Sequence, residues 1–265
     1  MRTVLTIAGF DPSSGAGVTA DLMVFAAHGL FGTSAITSLT VQSTTGVRDS
    51  QPVSPEILRE TLDCLHEDLP PAGVKLGMLA TEGVVSTTAD YLARLEKLSP
   101  EATVVVDPVL RSSSGKELLS AEGLSVLRER LLPLAGWVTP NMDELQLLSG
   151  RTVSRREDVL PAAQSLAEMY PSLNILATGG HLDRPDDLLL IAGEEPVWIE
   201  GELVESRSTH GTGCAFSSAL LSRLVLGDAP EEAARAAKRY ITEAIRRAVP
   251  LGYGHGPLNH LWPLR

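Results

Sequence analysis

The run Ser208-Thr209-His210-Gly211-Thr212-Gly213-Cys214, followed by the apolar stretch Ala215–Leu226, carries the sharpest chemical signal in the chain. Two glycines just before a helix let the backbone approach a ligand and aim its free N–H groups outward. With the positive end of the helix dipole, those amides form an anion site. Around a phosphoryl group in flight, such a site stabilises charge spreading over the moving oxygens. Cys214 falls in the first turn, where a thiol pKa is expected to drop. The competing reading of the loop is a Gly-rich turn with a small buried cysteine.

A second loop, Gly9-Phe10-Asp11-Pro12-Ser13-Ser14-Gly15-Ala16-Gly17, ends in Gly15-x-Gly17-x-x-Ala20. That spacing superficially matches a dinucleotide fingerprint but fails in context. The first glycine should follow its strand directly, and the second strand should end in an acid, whereas here it ends in Gln42 and Ser43. A Gly-Lys-Ser/Thr phosphate loop is absent from the sequence. Asp21, one turn into the next helix, reads on its own as a solvated face carboxylate. Gln42 offers an amide that both donates to and accepts from a heterocycle edge. Asp107 sits at the mouth of a buried strand, and Asn141 with Asp143 and Glu144 opens a helix. That last group is either a cap suited to the dipole or part of a magnesium and water shell.

The elements that must hold these loops alternate. Strands are expected at Thr3–Ala8, Thr33–Val41, Gly73–Leu76, Thr103–Val106, Trp137–Val138 and Asn174–Ala177. Helices are expected at Gly17–His28, Pro55–Glu67, Glu82–Leu98, Ala121–Leu131, Met142–Leu148 and Arg156–Met169. Leu188–Ile191 and Pro196–Ile199 form a hairpin, and helices Gly213–Leu226 and Glu231–Val249 close the chain. The βαβα rhythm implies an α/β fold with a mainly parallel sheet and helices on both faces. Ligands on such sheets bind outside the carboxyl ends of the strands, where the residues above fall. No internal repeat or linker divides the 265 residues, so one domain is expected.

Bulk properties narrow the partners. A net charge of −11 argues against nucleic acid as the main ligand, because phosphate neutralisation needs clustered Lys and Arg. No run approaches membrane-span length, and two cysteines fit a reducing cytosol, so a cytoplasmic address is expected.

Taken in order, the landmarks resemble those of the hydroxymethylpyrimidine/phosphomethylpyrimidine kinase family. They run from Ala8-Gly9, Gly15-Ala16-Gly17 and Ala20-Asp21 through Val41-Gln42, Gly77-Met78 and Asp107-Pro108-Val109 to Ser114-Gly115. They continue with Thr139-Pro140-Asn141, Gly179-Gly180-His181, Thr209–Cys214, Lys238, Gly254–Pro257 and His260. The resemblance implies a ribokinase-like three-layer α/β sandwich and ATP-dependent phosphorylation of a small pyrimidine alcohol, then of its monophosphate. It implies that Gly9, Asp21, Gln42, Met78 and Val109 line the pyrimidine pocket, with Asp21 and Gln42 reading the ring. Cys214 lies beside the acceptor hydroxyl as base or positioning group, and Gly211, Thr212 and Gly213 supply the anion hole. Asp107, Asn141, Glu144, Thr178 and Lys238 surround Mg2+ and ATP, and the family commonly forms homodimers. The chain departs from the pattern at Phe10, at Arg111, where the family has a small apolar residue, at Thr178, where it has Lys, and at Ser208. Two other readings stand beside this one: a pyridoxine-type kinase of the same fold, and a pyrimidine-binding sensor without turnover.

Overall fold

The computed structural model describes residues 1–111, 115–180 and 184–264. Its strands are β1 (Thr3–Phe10), β2 (Phe31–Ser43), β3 (Gly46–Pro52), β4 (Gly73–Leu76), β5 (Thr103–Val106), β6 (Trp137–Val138), β7 (Asn174–Ala177), β8 (Asp187–Leu190) and β9 (Val197–Ile199). They join in one sheet in the order β3-β2-β1-β4-β5-β6-β7-β8-β9. The six strands β2-β1-β4-β5-β6-β7 pair in parallel, while at the two edges β3 pairs antiparallel with β2, β8 with β7 and β9 with β8. The chain steps one way from β1 to β2 and the other way from β4 onward. A crevice therefore opens at the carboxyl end of β1, at the topological switch point.

Continuous apolar runs mark strands covered on both faces, and alternation divides them between two cores. Leu5, Val104, Val106, Val138 and Ile175 face a cluster filled by α2 (Pro55–Asp68), α3 (Glu82–Leu98), α5 (Met142–Ser149) and α6 (Arg156–Met169). Val4, Val105, Trp137 and Leu176 face the opposite cluster, filled by α1 (Gly17–Ala27), α7 (Thr212–Leu226) and α8 (Pro230–Arg246). Fully burying one Leu or Val contributes about 1.5–3 kcal/mol, so these faces hold the layers together. The result is the expected sheet between two helical layers. None of the helices described here is long and apolar enough to cross a membrane.

Most expected elements hold to within three residues, with three instructive differences. β3 has no counterpart in the apolar pattern, because Arg48, Asp49, Ser50 and Gln51 make it a polar edge strand. β2 runs on to Ser43, past the expected Val41, so Gln42 stands within a strand and not at its mouth. The expected helix Ala121–Leu131 begins as α4 (Ala121–Val126), then widens into a π turn over Leu127–Leu131 and tightens to a 3-10 turn. Pro133, lacking an N–H, sits in that tightened turn. Ser114 and His181 lie outside the described residues.

Candidate active site

A trench of about 620 Å3 crosses the carboxyl ends of the parallel strands and reaches the amino end of antiparallel β8 at Asp187. Gly9, Gln42, Met78, Asp107, Val109, Asn141, Glu144, Thr178, Gly211, Thr212, Gly213, Cys214 and Lys238 all line it. The sequence-predicted residues thus converge on one cavity, with one exception.

The exception is Asp21. It is fully buried and is not among the lining residues. Lys75 Nζ lies 3.1 and 3.0 Å from its two oxygens, Thr6 Oγ1 donates at 2.6 Å and Ser218 Oγ at 2.8 Å. With its lone pairs so engaged, Asp21 is neither a solvated face residue nor a reader of a ligand ring. It anchors Lys75, whose ammonium also stands 3.9 Å from Asp107 Oδ2. Burial disfavours the Lys75 charge, but Asp21, Cys214 and Asp107 overcome it and raise the ammonium's pKa. Sequence reasoning missed Lys75, although a lysine inside the four-residue strand Gly73–Leu76 was itself a signal, since unpaired lysine is almost never fully buried.

Glycine geometry builds the anion hole. Gly211 caps α7 with φ +81, and a Cβ there would stand 1.8 Å from the Gly15 carbonyl oxygen. Gly15 is equally constrained, because its Cβ would meet His210 Cδ2 at 2.2 Å. Ala215 N–H reaches back to Gly211 C=O at 2.9 Å, so the amides of Gly213 and Cys214 precede the first helical ring, and both residues line the trench. Gly254, within the last Gly-rich segment, has a related role: its Cβ would stand 2.0 Å from the Thr44 carbonyl oxygen, so that segment seals against the β2–β3 turn.

Burial pushes the Cys214 thiol up to about 12, with Lys75 pulling it down and Asp107 and Asp21 adding to the rise. The lowered pKa expected from the helix start is therefore overturned. Loss of water outweighs the dipole, and the sulfur is a neutral thiol near pH 7. Asp107, buried as well, accepts from Ser217 Oγ at 3.1 Å. Burial raises its carboxyl, against the pull of Lys75 and Ser217.

Asn141 and Glu144 form a reciprocal capping box on α5: Asn141 N–H donates to Glu144 Oε2 at 2.9 Å, and Glu144 N–H to Asn141 Oδ1 at 3.0 Å. The cap and the cavity-lining role are therefore both present. Burial first, then the nearby Asp107 charge, push the Glu144 carboxyl up to about 8, against hydrogen bonds from the Asn141 and Leu110 amides. A carboxyl whose folded pKa is raised favours folding below its unfolded pKa, and that contribution is lost as pH climbs through about 8. Denaturant midpoints at about pH 6 and pH 9 should fall less for Glu144→Gln, which keeps the cap acceptor, than for the natural protein. Equal losses would assign the pH dependence elsewhere.

At the β1 end, Asp11 Oδ1 accepts from Ser13 N–H (2.8 Å) and Ser13 Oγ (2.7 Å), and Oδ2 accepts from Ala16 N–H at 3.0 Å. Burial opposes the Asp11 charge, but bonds from His210 and Ser13 hold its carboxyl below the usual range. His210 Nε2 lies 2.7 Å from Asp11 Oδ2 and 3.1 Å from the Gln42 amide. A carboxylate only accepts, so this ring nitrogen carries the proton. On the other side of Gln42, its Oε1 accepts from Thr40 Oγ1 at 3.1 Å, and the residue lines the trench. At the β8 end, Lys238 Nζ pairs with Asp187 Oδ2 at 2.8 Å, and Asp187 Oδ1 accepts from Gly179 N–H at 3.0 Å. Lys238 thereby braces the loop that carries Thr178.

Comparison with known proteins agrees with this geometry. A family model described as phosphomethylpyrimidine kinase matches residues 11–259. The chain is 37% identical to the hydroxymethylpyrimidine/phosphomethylpyrimidine kinase of Haemophilus influenzae, covering 98% of this chain and 97% of that one. It is 41% identical to the thiamine biosynthesis bifunctional protein ThiED of Geobacter sulfurreducens over 98% of this chain, and it spans 52% of that longer protein. Among solved structures, an ADP complex of Bacillus subtilis pyridoxal kinase superposes with a TM-score of 0.88 at 32% identity, each chain covered over 100% of its length. The architecture is therefore ribokinase-like. The family model spans most of the chain and the Haemophilus influenzae relative nearly all of it, so the chain belongs to the phosphomethylpyrimidine kinase family.

Proposed function

We propose that the chain transfers the γ-phosphoryl group of ATP to the hydroxymethyl group of 4-amino-5-hydroxymethyl-2-methylpyrimidine, and then to the resulting monophosphate, in thiamine biosynthesis. The observation that carries the reading is the shared wall of the trench. Gln42, Met78 and Val109 line it together with the Gly211–Cys214 helix start, so a flat ring held there presents its alcohol to the anion hole. The Gln42 NH2 matches a ring nitrogen that accepts, and Met78 and Gly9 give the ring apolar walls; a Cβ on Gly9 would stand 3.1 Å from Met78 Sδ. Pro185, Leu203, Val204, Ile241 and Ile245 form the opposite, apolar lobe, suited to the adenine of ATP.

Asp107 and Glu144 fit a magnesium ion carried in by the nucleotide. Among the described residues no cluster of His, Cys, Asp and Glu could hold a metal by itself. Mg2+ is usually held by one or two carboxylates, waters and phosphates, and Asp107 and Glu144 bring two carboxyl groups to the trench wall, which supports the reading. Bound there, the ion would neutralise charge on the β- and γ-phosphates. Asn141, Thr178 and Lys238 complete that end.

Leu39 and Val41 project from β2 with 51% and 56% exposure, and we assign the contact of a homodimer to this hairpin. Cys64 and Cys214 are both free thiols, which fits a cytoplasmic enzyme.

The rival within the fold is a pyridoxal-type kinase, the activity named for the Bacillus subtilis structure. ADP release measured with hydroxymethylpyrimidine, its monophosphate, pyridoxal and ribose separates them. The highest kcat/KM is expected for the pyrimidine alcohol. A higher value for pyridoxal, or ADP release independent of any acceptor, would reject the reading.

A further inference from the structure

The trench that a second phosphate has to enter is acidic: Asp11, Asp107 and Glu144 all line it. The first acceptor is a neutral alcohol, but its monophosphate brings about −1.5 to −2 charge into the same space. Some cation must meet it. Among the described residues, Arg111 and Lys238 are the lysine and arginine side chains that line the trench. Lys238 stands at the β8 end and is already held by Asp187 at 2.8 Å.

Arg111 is differently placed. It follows Val109 and Leu110 in the segment leaving β5, and the Leu110 amide faces the Glu144 carboxyl. Its backbone pairs with Glu117, and Leu118 N–H bonds Leu110 C=O at 2.9 Å, which fixes the stem of the segment. Its guanidinium is 57% exposed and meets Glu117 only at 3.7 Å, beyond hydrogen-bond length. An exposed pair of that kind is worth little, so the guanidinium can turn to a stronger anion at small cost. A guanidinium fork also matches a phosphate through two parallel N–H bonds.

We propose that Arg111 grips the phosphate of the monophosphate acceptor and so sets how well the second phosphorylation competes with the first. The inference rests on the pyrimidine-kinase reading above. In the step it serves, a nonbridging oxygen of the monophosphate forms a bond to the γ-phosphorus of ATP. The bond from that phosphorus to the bridging β–γ oxygen breaks, and its electron pair leaves with ADP. A dianionic acceptor loses no proton, so its requirement is charge neutralisation and not a base.

The test compares kcat/KM for the alcohol and for the monophosphate in the natural enzyme, Arg111→Ala and Arg111→Lys. Arg111→Ala should lower the monophosphate-to-alcohol ratio by about tenfold or more, chiefly through KM for the monophosphate. Arg111→Lys should recover part of the loss, because it restores the charge without the fork. Raising the salt should shrink the difference between the natural enzyme and Arg111→Ala. An unchanged ratio in Arg111→Ala, with the natural enzyme active on both pyrimidines, overturns this inference alone. A natural enzyme that phosphorylates neither pyrimidine overturns the functional reading and this inference with it.

Discussion

Gly211→Ala should lower kcat/KM by about 10²–10³-fold, the loss seen when one preorganised oxyanion donor is displaced. Two independent constraints meet at this position. Its φ of +81 lies in the left-handed region, where a side chain costs roughly 1–2 kcal/mol. The added methyl would also stand 1.8 Å from the Gly15 carbonyl oxygen, a distance that only movement of one loop can relieve. Either loop carries catalytic geometry when it moves. A shift of Gly211 reorients the Gly213 and Cys214 amides, and a shift of Gly15 disturbs the Asp11–His210 contact beside it. The effect should fall mainly on kcat, since the slot for the ring and the lobe for the nucleotide are built elsewhere. Steady-state kinetics with a parallel thermal melt checks it. A folded variant within a few-fold of normal activity would mean that these amides contribute little to the transition state.

Alternating apolar runs made the strand and helix order legible, because a strand covered on both faces has few ways to look in sequence. β3 escaped because an edge strand is selected for polarity, as Arg48 and Asp49 show, and so carries no apolar period. Gly211 was legible because its φ of +81 and the Gly15 carbonyl packed against it admit only glycine, whereas Gly213 carries no such constraint. Gln42, Met78, Val109, Asp107, Asn141, Glu144, Thr178 and Lys238, far apart in sequence, line one trench. Asp21 was misplaced for a physical reason: its partner Lys75 lies 54 residues away on a strand whose buried charge only the fold explains. The Cys214 thiol was misjudged for the same reason. Local sequence shows a helix N-terminus, but the burial that strips water from the thiol, and the nearby Asp107 and Asp21 charges that add to the rise, are properties of the packed fold. Thr178 likewise reads differently in place, because Lys238 already brings a positive charge to its end of the trench and Asp187 balances it.

Cys214→Ala should lower kcat for the alcohol by about 10²–10⁴-fold, the range for a positioned acid or base, while kcat for the monophosphate falls much less. The alcohol must lose a proton as its oxygen bonds to phosphorus, and the monophosphate need not. With its pKa near 12 in the unliganded protein, the thiol cannot wait as a thiolate. It can take up the substrate proton only by handing its own onward, and the neighbouring Asp107 is within its hydrogen-bonding surroundings. Cys214→Asp supplies a carboxylate at the same place. The desolvation that raises the thiol would raise this carboxyl also, toward the neutral range where a general base works best. The aspartate variant should therefore keep measurable alcohol kinase activity and gain a new acidic limb in its pH–rate profile. Cys214→Ser separates packing from proton transfer, because it preserves size and a hydroxyl while removing the more acidic sulfur. If Cys214→Ala reduces both acceptors equally, the thiol shapes the trench for phosphoryl transfer in general and takes no substrate proton. If Cys214→Ala leaves both nearly unchanged, the thiol only packs the wall, and the anion hole at Gly211–Gly213 supplies most of the catalysis.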